Sequence, residues 1–307
     1  MKILITEFME AKSVEMLKRN FDVTLDKSLS LNHNELKKII SNFDILIVRN
    51  KTQVNKEILE NASSLKFIGR LGVGLDNIDT EYCRNNNIHV QPATGMNADS
   101  VAEYVINSSL SLLKNVPLMH QETSLGNWPR TLISSRELNG KIFGLMGFGL
   151  IAKKVSTLAK IFNAHIIAYD PFIDSSIARE FNIKLVDINE IFEKADVISI
   201  HLPLTPTTKK LLNYDAFTKM QKQPIIINSS RGSIINEDDL LRAYDEKLIS
   251  GFALDVYETE PAPKIFLNSI KDNTNCILTP HIAGVTEESN IRVSDFIANS
   301  VKEFFKL

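Results

Sequence analysis

Short runs of consecutive apolar residues, most of them rich in Ile and Val, alternate along this chain with longer stretches whose apolar positions recur at helical spacing. The runs Lys2–Thr6, Asp44–Arg49, Lys66–Leu71, Lys141–Gly147, His165–Asp170, Asp196–Leu202, Pro224–Ser230 and Gly251–Val256 predict strands. Their apolar character is continuous rather than alternating, which is the pattern of strands covered on both faces of a parallel sheet. Helices are expected between them, for example at Asn34–Phe43, Ile151–Phe162 and Glu237–Glu246. Strand and helix in alternation predict an α/β fold with right-handed crossovers.

The alternation runs twice, once over roughly the first 95 residues and again from Lys141 onward. A long helical stretch, Ala98 to Glu122, joins the two series, and Pro117 is expected to end or kink it. A last helix is expected at Glu287–Phe305. The chain has 307 residues, a length that suits two domains. Its 44% hydrophobic and 23% charged content is that of an ordinary globular protein. A net charge of −2 offers no overall field for nucleic acid or an anionic membrane, so neither is expected as a partner. The two cysteines, Cys83 and Cys276, form no CxxC pair, so no metal site or disulfide framework is expected. The apolar run at the N-terminus is too short for a signal peptide, and no run reaches the length of a membrane span. A cytoplasmic location is expected.

Chemistry enters at Gly144-Leu-Met-Gly147-Phe-Gly149-Leu-Ile-Ala152, which follows an apolar strand and opens a helix. That is the context of a dinucleotide fingerprint. Gly147 permits the tight turn, Gly149 lets the backbone approach a pyrophosphate, and Ala152 still allows close helix–strand packing. The pyrophosphate would sit on the helix N-terminus. The next strand ends at Asp170, about 20 residues beyond Gly149. A carboxylate there accepts hydrogen bonds from ribose hydroxyls and repels a 2′-phosphate, which points to NAD over NADP.

Three later segments leave the ends of apolar runs. Asn228-Ser229-Ser230-Arg231-Gly232 places an arginine where an open α/β sheet binds ligands, with a planar fork suited to a carboxylate. Asp255-Val256-Tyr257-Glu258-Thr259-Glu260-Pro261 brings carboxylates, and Thr279-Pro280-His281 brings a histidine. A histidine beside a carboxylate has its tautomer fixed and its pKa raised, and it can exchange a proton with a hydroxyl as hydride leaves the carbon. His201, also at a strand end, is the rival for that role.

Taken together and in this order, GLMGFGLIA, YDP, HLPLTPTT, NSSRGSIINEDDL, ALDVYETEP and TPHIAG resemble the D-isomer-specific 2-hydroxy acid dehydrogenase family over nearly the whole chain. The resemblance implies a catalytic set of Arg231, Glu260 and His281. Arg231 would bind the substrate carboxylate and polarise the reacting carbonyl, His281 would be the general acid/base, and Glu260, rather than Glu258, would orient it. It also implies that Ser229, Ser230 and Asp255 lie near the nicotinamide, with Leu150, Ile151 and Leu202 along the rest of the cofactor. Leu150 departs from a commonly polar or basic residue, so one pyrophosphate contact is expected to be missing.

The implied architecture is two doubly wound parallel-sheet domains. A Rossmann NAD-binding domain, 98–282, is inserted into a flavodoxin-like substrate domain, 1–97 and 283–307, with the active site in the cleft between them. Within the substrate domain, Gly72 and Gly74, with Val73, would form an anion nest of backbone amides. Arg49, Arg70 and Arg130 match arginines that phosphoglycerate dehydrogenases use around the substrate's phosphate, the equivalent of Arg130 arriving from the partner subunit of a homodimer joined through the NAD domains. The resemblance therefore favours oxidation of D-3-phosphoglycerate, the entry to serine biosynthesis, by a short form without a regulatory domain. Another hydroxy acid dehydrogenase, such as a glyoxylate or hydroxypyruvate reductase, is the alternative. An NAD(H)-sensing binding protein of the corepressor kind is the alternative of another class.

Overall fold

The structure, a computed structural model, describes residues 1–130, 135–270 and 275–307. Two compact units account for them: Met1–Asn97 with Val285–Leu307, and Ala98–Gly284.

The first unit is built on strands β1 (Lys2–Ile5), β2 (Asp22–Leu25), β3 (Ile45–Val48), β4 (Phe67–Arg70) and β5 (His89–Pro92). All are parallel, in the order β2-β1-β3-β4-β5. This is the flavodoxin-like doubly wound order, whose switch point lies between the first and third strands. Alternate side chains feed two cores, as the pleat requires. Ile3, Ile5, Ile45, Ile47 and Phe67 pack with the helices Ala11–Lys18 and Glu287–Phe304. Leu4, Leu46, Val48 and Ile68 pack on the other face with residues of His33–Ile39 and Lys56–Leu59. The C-terminal helix begins with a reciprocal cap in which Thr286 and Ser289 bond each other's backbone amides.

The second unit carries β6 (Ile142–Met146), β7 (His165–Tyr169), β8 (Lys184–Leu185), β9 (Val197–Ile200), β10 (Ile225–Asn228), β11 (Gly251–Leu254) and β12 (Cys276–Leu278). They form one parallel sheet in the order β12-β11-β10-β9-β6-β7-β8. From β6 this is the Rossmann order extended by one strand, with its switch point between β6 and β9. The helices Ala98–Leu113 and Leu150–Ile161 cover one face, and Ile188–Lys194, Tyr214–Thr218 and Glu237–Asp245 cover the other.

The eight expected strands are present, each one to three residues shorter than its apolar run. Four further strands, β2, β5, β8 and β12, have no counterpart among those eight runs. All four are sheet edges and none has a fully buried residue, whereas β3, β9, β10 and β11 are buried throughout. The long joining helix is corrected: it divides into Ala98–Leu113 and Val116–Ser124. The break falls at Asn115, whose φ of 54° is left-handed, and not at Pro117 itself. Pro117 lies in the first turn of the second helix, where its missing N–H is one that would have no helical partner anyway.

Candidate active site

The Ala98–Gly284 unit concentrates its chemistry at the carboxyl ends of its strands, where open α/β sheets bind ligands. Gly147 leaves β6 at φ 93°, and a Cβ there would come within 2.6 Å of the His201 carbonyl oxygen. Glycine is therefore required both by backbone conformation and by the approach of the β9 loop. Gly149 caps the helix Leu150–Ile161 with no side-chain hydrogen bond, and a Cβ on it would meet nothing within 4 Å. The first-turn amides are thus left for an anion in open space, which is what a pyrophosphate needs.

Asp170, after β7, turns back to this loop. Its Oδ2 accepts from the Phe148 amide at 2.9 Å and its Oδ1 from Phe172 at 2.9 Å. A carboxylate has acceptor capacity beyond two bonds, so Asp170 can brace the turn and still receive ribose hydroxyls. Leu150 is 54% exposed at the head of the helix. Ile151 is half-buried, and Leu202 is buried on the other side of the glycine turn.

Beyond β10 the buried Asn228 folds the chain into a tight loop. Its Oδ1 accepts from Ser230 N at 3.1 Å and its Nδ2 donates to the Arg231 carbonyl at 3.0 Å. Ser230 Oγ ties the loop to β9 by donating to the Leu202 carbonyl at 2.9 Å. Ser229 Oγ is buried without a hydrogen-bond partner, a donor and acceptor left for a polar group. Arg231 donates to the Ser230 carbonyl at 2.7 Å. Gly232 then runs against the loop after β11, so closely that a Cβ would lie 1.8 Å from the Tyr257 carbonyl carbon. The loops bearing Arg231 and Glu260 are consequently packed backbone to backbone.

The loop after β11 carries Asp255 and Glu260. Glu260 Oε2 meets His281 Nδ1 at 2.7 Å, and Glu260 Oε1 accepts from the Tyr257 amide at 3.3 Å. The pair is partly exposed, the histidine side chain at 45% and the carboxylate at 38%. With Nδ1 held by the carboxylate, Nε2 is left to exchange a proton. Glu258 is engaged elsewhere: it accepts from the Glu237 amide at 3.1 Å while its own amide donates to Glu237 at 2.7 Å. That exchange clamps the loop to the N-terminus of the helix Glu237–Asp245.

Two residues outside the expected set shape the His281 loop. His281 has a φ of 58°, a region that L residues seldom occupy and that costs about 1–3 kcal/mol. The buried Asp255 holds the loop there, accepting from Thr279 Oγ1 at 2.6 Å, Ile282 N at 2.7 Å and Ala283 N at 2.7 Å. Thr279 spends its proton on Asp255, so the Tyr104 hydroxyl, 2.7 Å away, donates to Thr279. Thr279 stood inside the TPHIAG motif; nothing local marked Tyr104, which arrives from the helix Ala98–Leu113.

His201, the rival histidine, has its Nε2 at 3.0 Å from Ser199 Oγ, and burial pushes its pKa down to about 3. Such an imidazole stays neutral at ordinary pH and is a poor proton acceptor.

In the other unit, Arg49 follows β3 and Arg70 ends β4, with Val48 in register with Arg70. Arg49 donates to Asn290 Oδ1 at 2.7 Å. The Arg70 guanidinium lies so close over Gly72 that a Cβ there would fall 2.0 Å from it. Val73 is 37% exposed and Gly74 is half-buried in the following loop. Arg130 is exposed after the helix Val116–Ser124, which buries none of its own side chains. No helix among the described residues is long and apolar enough to cross a membrane, and no group of His, Cys, Asp and Glu among them could hold a metal ion.

A glycine turn with a bare helix N-terminus, a distal acid and a paired histidine and glutamate define a nicotinamide-dependent dehydrogenase. Residues 106–283 match the D-isomer specific 2-hydroxyacid dehydrogenase, NAD binding domain. The chain is 37% identical to the (S)-sulfolactate dehydrogenase of Chromohalobacter salexigens over 98% of its own length and 97% of the relative's. It is 36% identical to the D-3-phosphoglycerate dehydrogenase of Methanocaldococcus jannaschii, matching along 99% of this chain but spanning only 57% of that longer protein. Among solved structures, the D-lactate dehydrogenase of Aquifex aeolicus, complexed with NAD and lactic acid, is 27% identical. It superposes with a TM-score of 0.86 over 100% of this chain and 96% of that one. The chain belongs to the D-isomer-specific 2-hydroxy acid dehydrogenase family, and its cofactor is NAD.

Proposed function

We infer that this chain oxidises D-3-phosphoglycerate to 3-phosphohydroxypyruvate, in the direction of serine biosynthesis. The observation that carries the substrate reading is the pair of arginines at the ends of adjacent strands, Arg49 after β3 and Arg70 closing β4. A phosphate with about −1.5 to −2 charges calls for several directional cationic donors. Arg130 would be a third, supplied by the second subunit of a homodimer. The exposed Leu125 and Trp128 beside it, and the helix Val116–Ser124 with no buried face of its own, support that arrangement. Residues 98–282 serve as the NAD domain in this reading, and 1–97 with 283–307 bind the substrate.

The bound nicotinamide supplies the hydride acceptor. The rest belongs to the side chains. Arg231 grips the substrate carboxylate and, on the carbonyl side of the reaction, stabilises the charge on the oxygen at C2. His281 Nε2 takes the hydroxyl proton in oxidation and returns it in reduction. Glu260, at 2.7 Å from Nδ1, fixes the tautomer that leaves Nε2 free and stabilises the imidazolium that forms. Gly147 and Gly149 border the pyrophosphate, Asp170 receives the ribose, Ser229, Ser230 and Asp255 lie toward the nicotinamide, and Leu150, Ile151 and Leu202 lie along the rest of the cofactor.

A second reading is favoured by the resemblance, along nearly both full lengths, to a sulfolactate dehydrogenase. Sulfolactate is also a 2-hydroxy acid with an anion at C3. Its S descriptor denotes the same handedness as D-3-phosphoglycerate, because sulfur outranks the carboxyl group in the priority rules. The two readings differ in the charge and reach of the distal anion.

The test is NADH absorbance with D-3-phosphoglycerate, (S)-sulfolactate, D-glycerate, D-lactate and 2-hydroxyglutarate, and with the matching 2-oxo acids in reverse. A kcat/KM for phosphoglycerate at least about tenfold above the others establishes the first reading. Preference for sulfolactate transfers the arginines to a sulfonate, and preference for an acid without a distal anion removes that role from them. NADH binding without turnover of any acid would favour a cofactor-sensing binding protein.

A further inference from the structure

The switch point of the first unit, between β1 and β3, is where the doubly wound order opens a crevice for a ligand. The chain leaves β1 toward one face, into the helix Ala11–Lys18, and leaves β3 toward the other, into Lys56–Leu59. In this protein the crevice already contains an anion, the side chain of Glu7. It is 6% exposed, and its carboxylate accepts from four consecutive backbone amides. They are Arg49 at 2.8 Å, Asn50 at 3.3 Å, Lys51 at 3.1 and 3.2 Å, and Thr52 at 3.0 Å. Successive N–H groups converging on one point are an anion nest. Thr6 Oγ1 to Thr52 Oγ1, at 2.7 Å, adds a further tie. From the other side Asn77 Nδ2 donates to the Arg49 and Thr52 carbonyls at 3.1 and 2.7 Å.

We propose that Glu7 is a built-in occupant of the switch-point anion site and acts as a positioning residue: by gripping the amides of residues 49–52 it sets the backbone from which Arg49 reaches the substrate. A buried carboxyl is normally pushed toward its neutral form. Here that push from burial is outweighed by the amides of Thr52, Arg49 and Lys51, which leave Glu7 below the ordinary glutamate range. The grip is therefore in force throughout the working pH of an enzyme. The same filling excludes a substrate anion from the crevice, so the distal anion must be met by the Arg49 and Arg70 side chains. The proposal rests on the reading of Arg49 as a substrate-binding residue.

Three measurements on the full chain with NAD test it. In the wild type, hydrogen exchange of the amides of residues 49–52 should be slowed at least about a hundredfold relative to an open loop, although none has a carbonyl partner. Exchange at the open-loop rate would overturn the proposal whether or not any variant folds. Glu7→Ala should raise KM for the preferred hydroxy acid about tenfold or more while kcat and NADH affinity stay within about twofold. Added acetate, a small carboxylate that fits the vacated nest, should restore KM toward the wild-type value; the isosteric Glu7→Gln should show the KM defect without the rescue. A raised KM that acetate leaves untouched would mean a merely structural role. Arg49→Ala, run alongside, separates the two claims. If it raises KM and Glu7→Ala does not, the positioning role is wrong; if it leaves KM unchanged, the reading of Arg49 is wrong.

Discussion

Replacing Asp255 by asparagine changes one atom and tests how the His281 loop is held. The wild-type carboxylate is buried and accepts three bonds, two on Oδ1 and one on Oδ2. A carboxamide of the same shape keeps one acceptor oxygen and turns an NH2 group toward the other site. Whichever way it is flipped, at least one backbone N–H of Ile282 or Ala283 loses its acceptor. A buried donor left unpaired costs about 1–3 kcal/mol, and the bonds that survive lose their charge assistance, worth about 1 kcal/mol more. The expected loss is about 2–4 kcal/mol. For a unit of this size it corresponds to a fall in Tm of roughly 5–15 °C. Urea denaturation of the apoprotein followed by circular dichroism reads the loss without any contribution from cofactor contacts. Turnover should fall as well, since His281 lies between Thr279 and Ile282 in the loop that relaxes. A variant within about 0.5 kcal/mol of wild type would show that the three bonds do not restrain the loop, and the reasoning would fail.

Gly232→Ala should be more damaging than its single methyl group suggests, because the Cβ would fall 1.8 Å from the Tyr257 backbone; a soluble variant with wild-type Tm would contradict the packing of these two loops. Asp170→Ala should weaken NAD binding and narrow the preference over NADP, so titrations of both cofactors that give an unchanged ratio would place that discrimination elsewhere. His281→Ala should lower kcat by about 10²–10⁴ with NADH affinity retained, and near-normal turnover would remove it from proton transfer. His201 has a folded pKa of about 3, below its value of 6.5 when unfolded. The unfolded chain therefore takes up a proton first, and stability falls as pH drops from 6.5 toward 3, by up to about 1.4 kcal/mol per pH unit from this group. Denaturant titrations at pH 7 and pH 4.5 should show a shallower loss in His201→Gln; equal losses would refute the assignment.

Much of the candidate site was legible because its parts are local. A glycine turn must follow a strand and open a helix within a few residues, and Gly147, Gly149 and Asp170 obey that spacing. Arg231, Glu260 and His281 each leave the end of an apolar run, although only the family resemblance singled out His281 over His201, by its motif, and Glu260 over Glu258, by its place immediately before Pro261. The structure adds physical grounds for both distinctions: His201 is turned against Ser199, and Glu258 is spent on the Glu237 clamp. The restraints on these groups were not legible. Tyr104 lies far along the chain from Thr279, and Glu7 from Arg49, and nothing in their neighbourhoods marks them.

By itself, then, the sequence determined the central strands, the helices between them and which candidate site residues stand at the strand ends. Burial on both faces leaves an uninterrupted apolar signature, and phosphate-binding turns have obligatory local residues. Tertiary structure decided the sheet edges, the break at Asn115 and the anchoring carboxylates. An edge strand is paired on one side only and partly exposed, so β2, β5 and β8 carry no continuous apolar run and that of β12 is only three residues long. A buried carboxylate is stable only where folding has gathered enough donors around it, as at Glu7 and Asp255, and that gathering is a property of the folded chain.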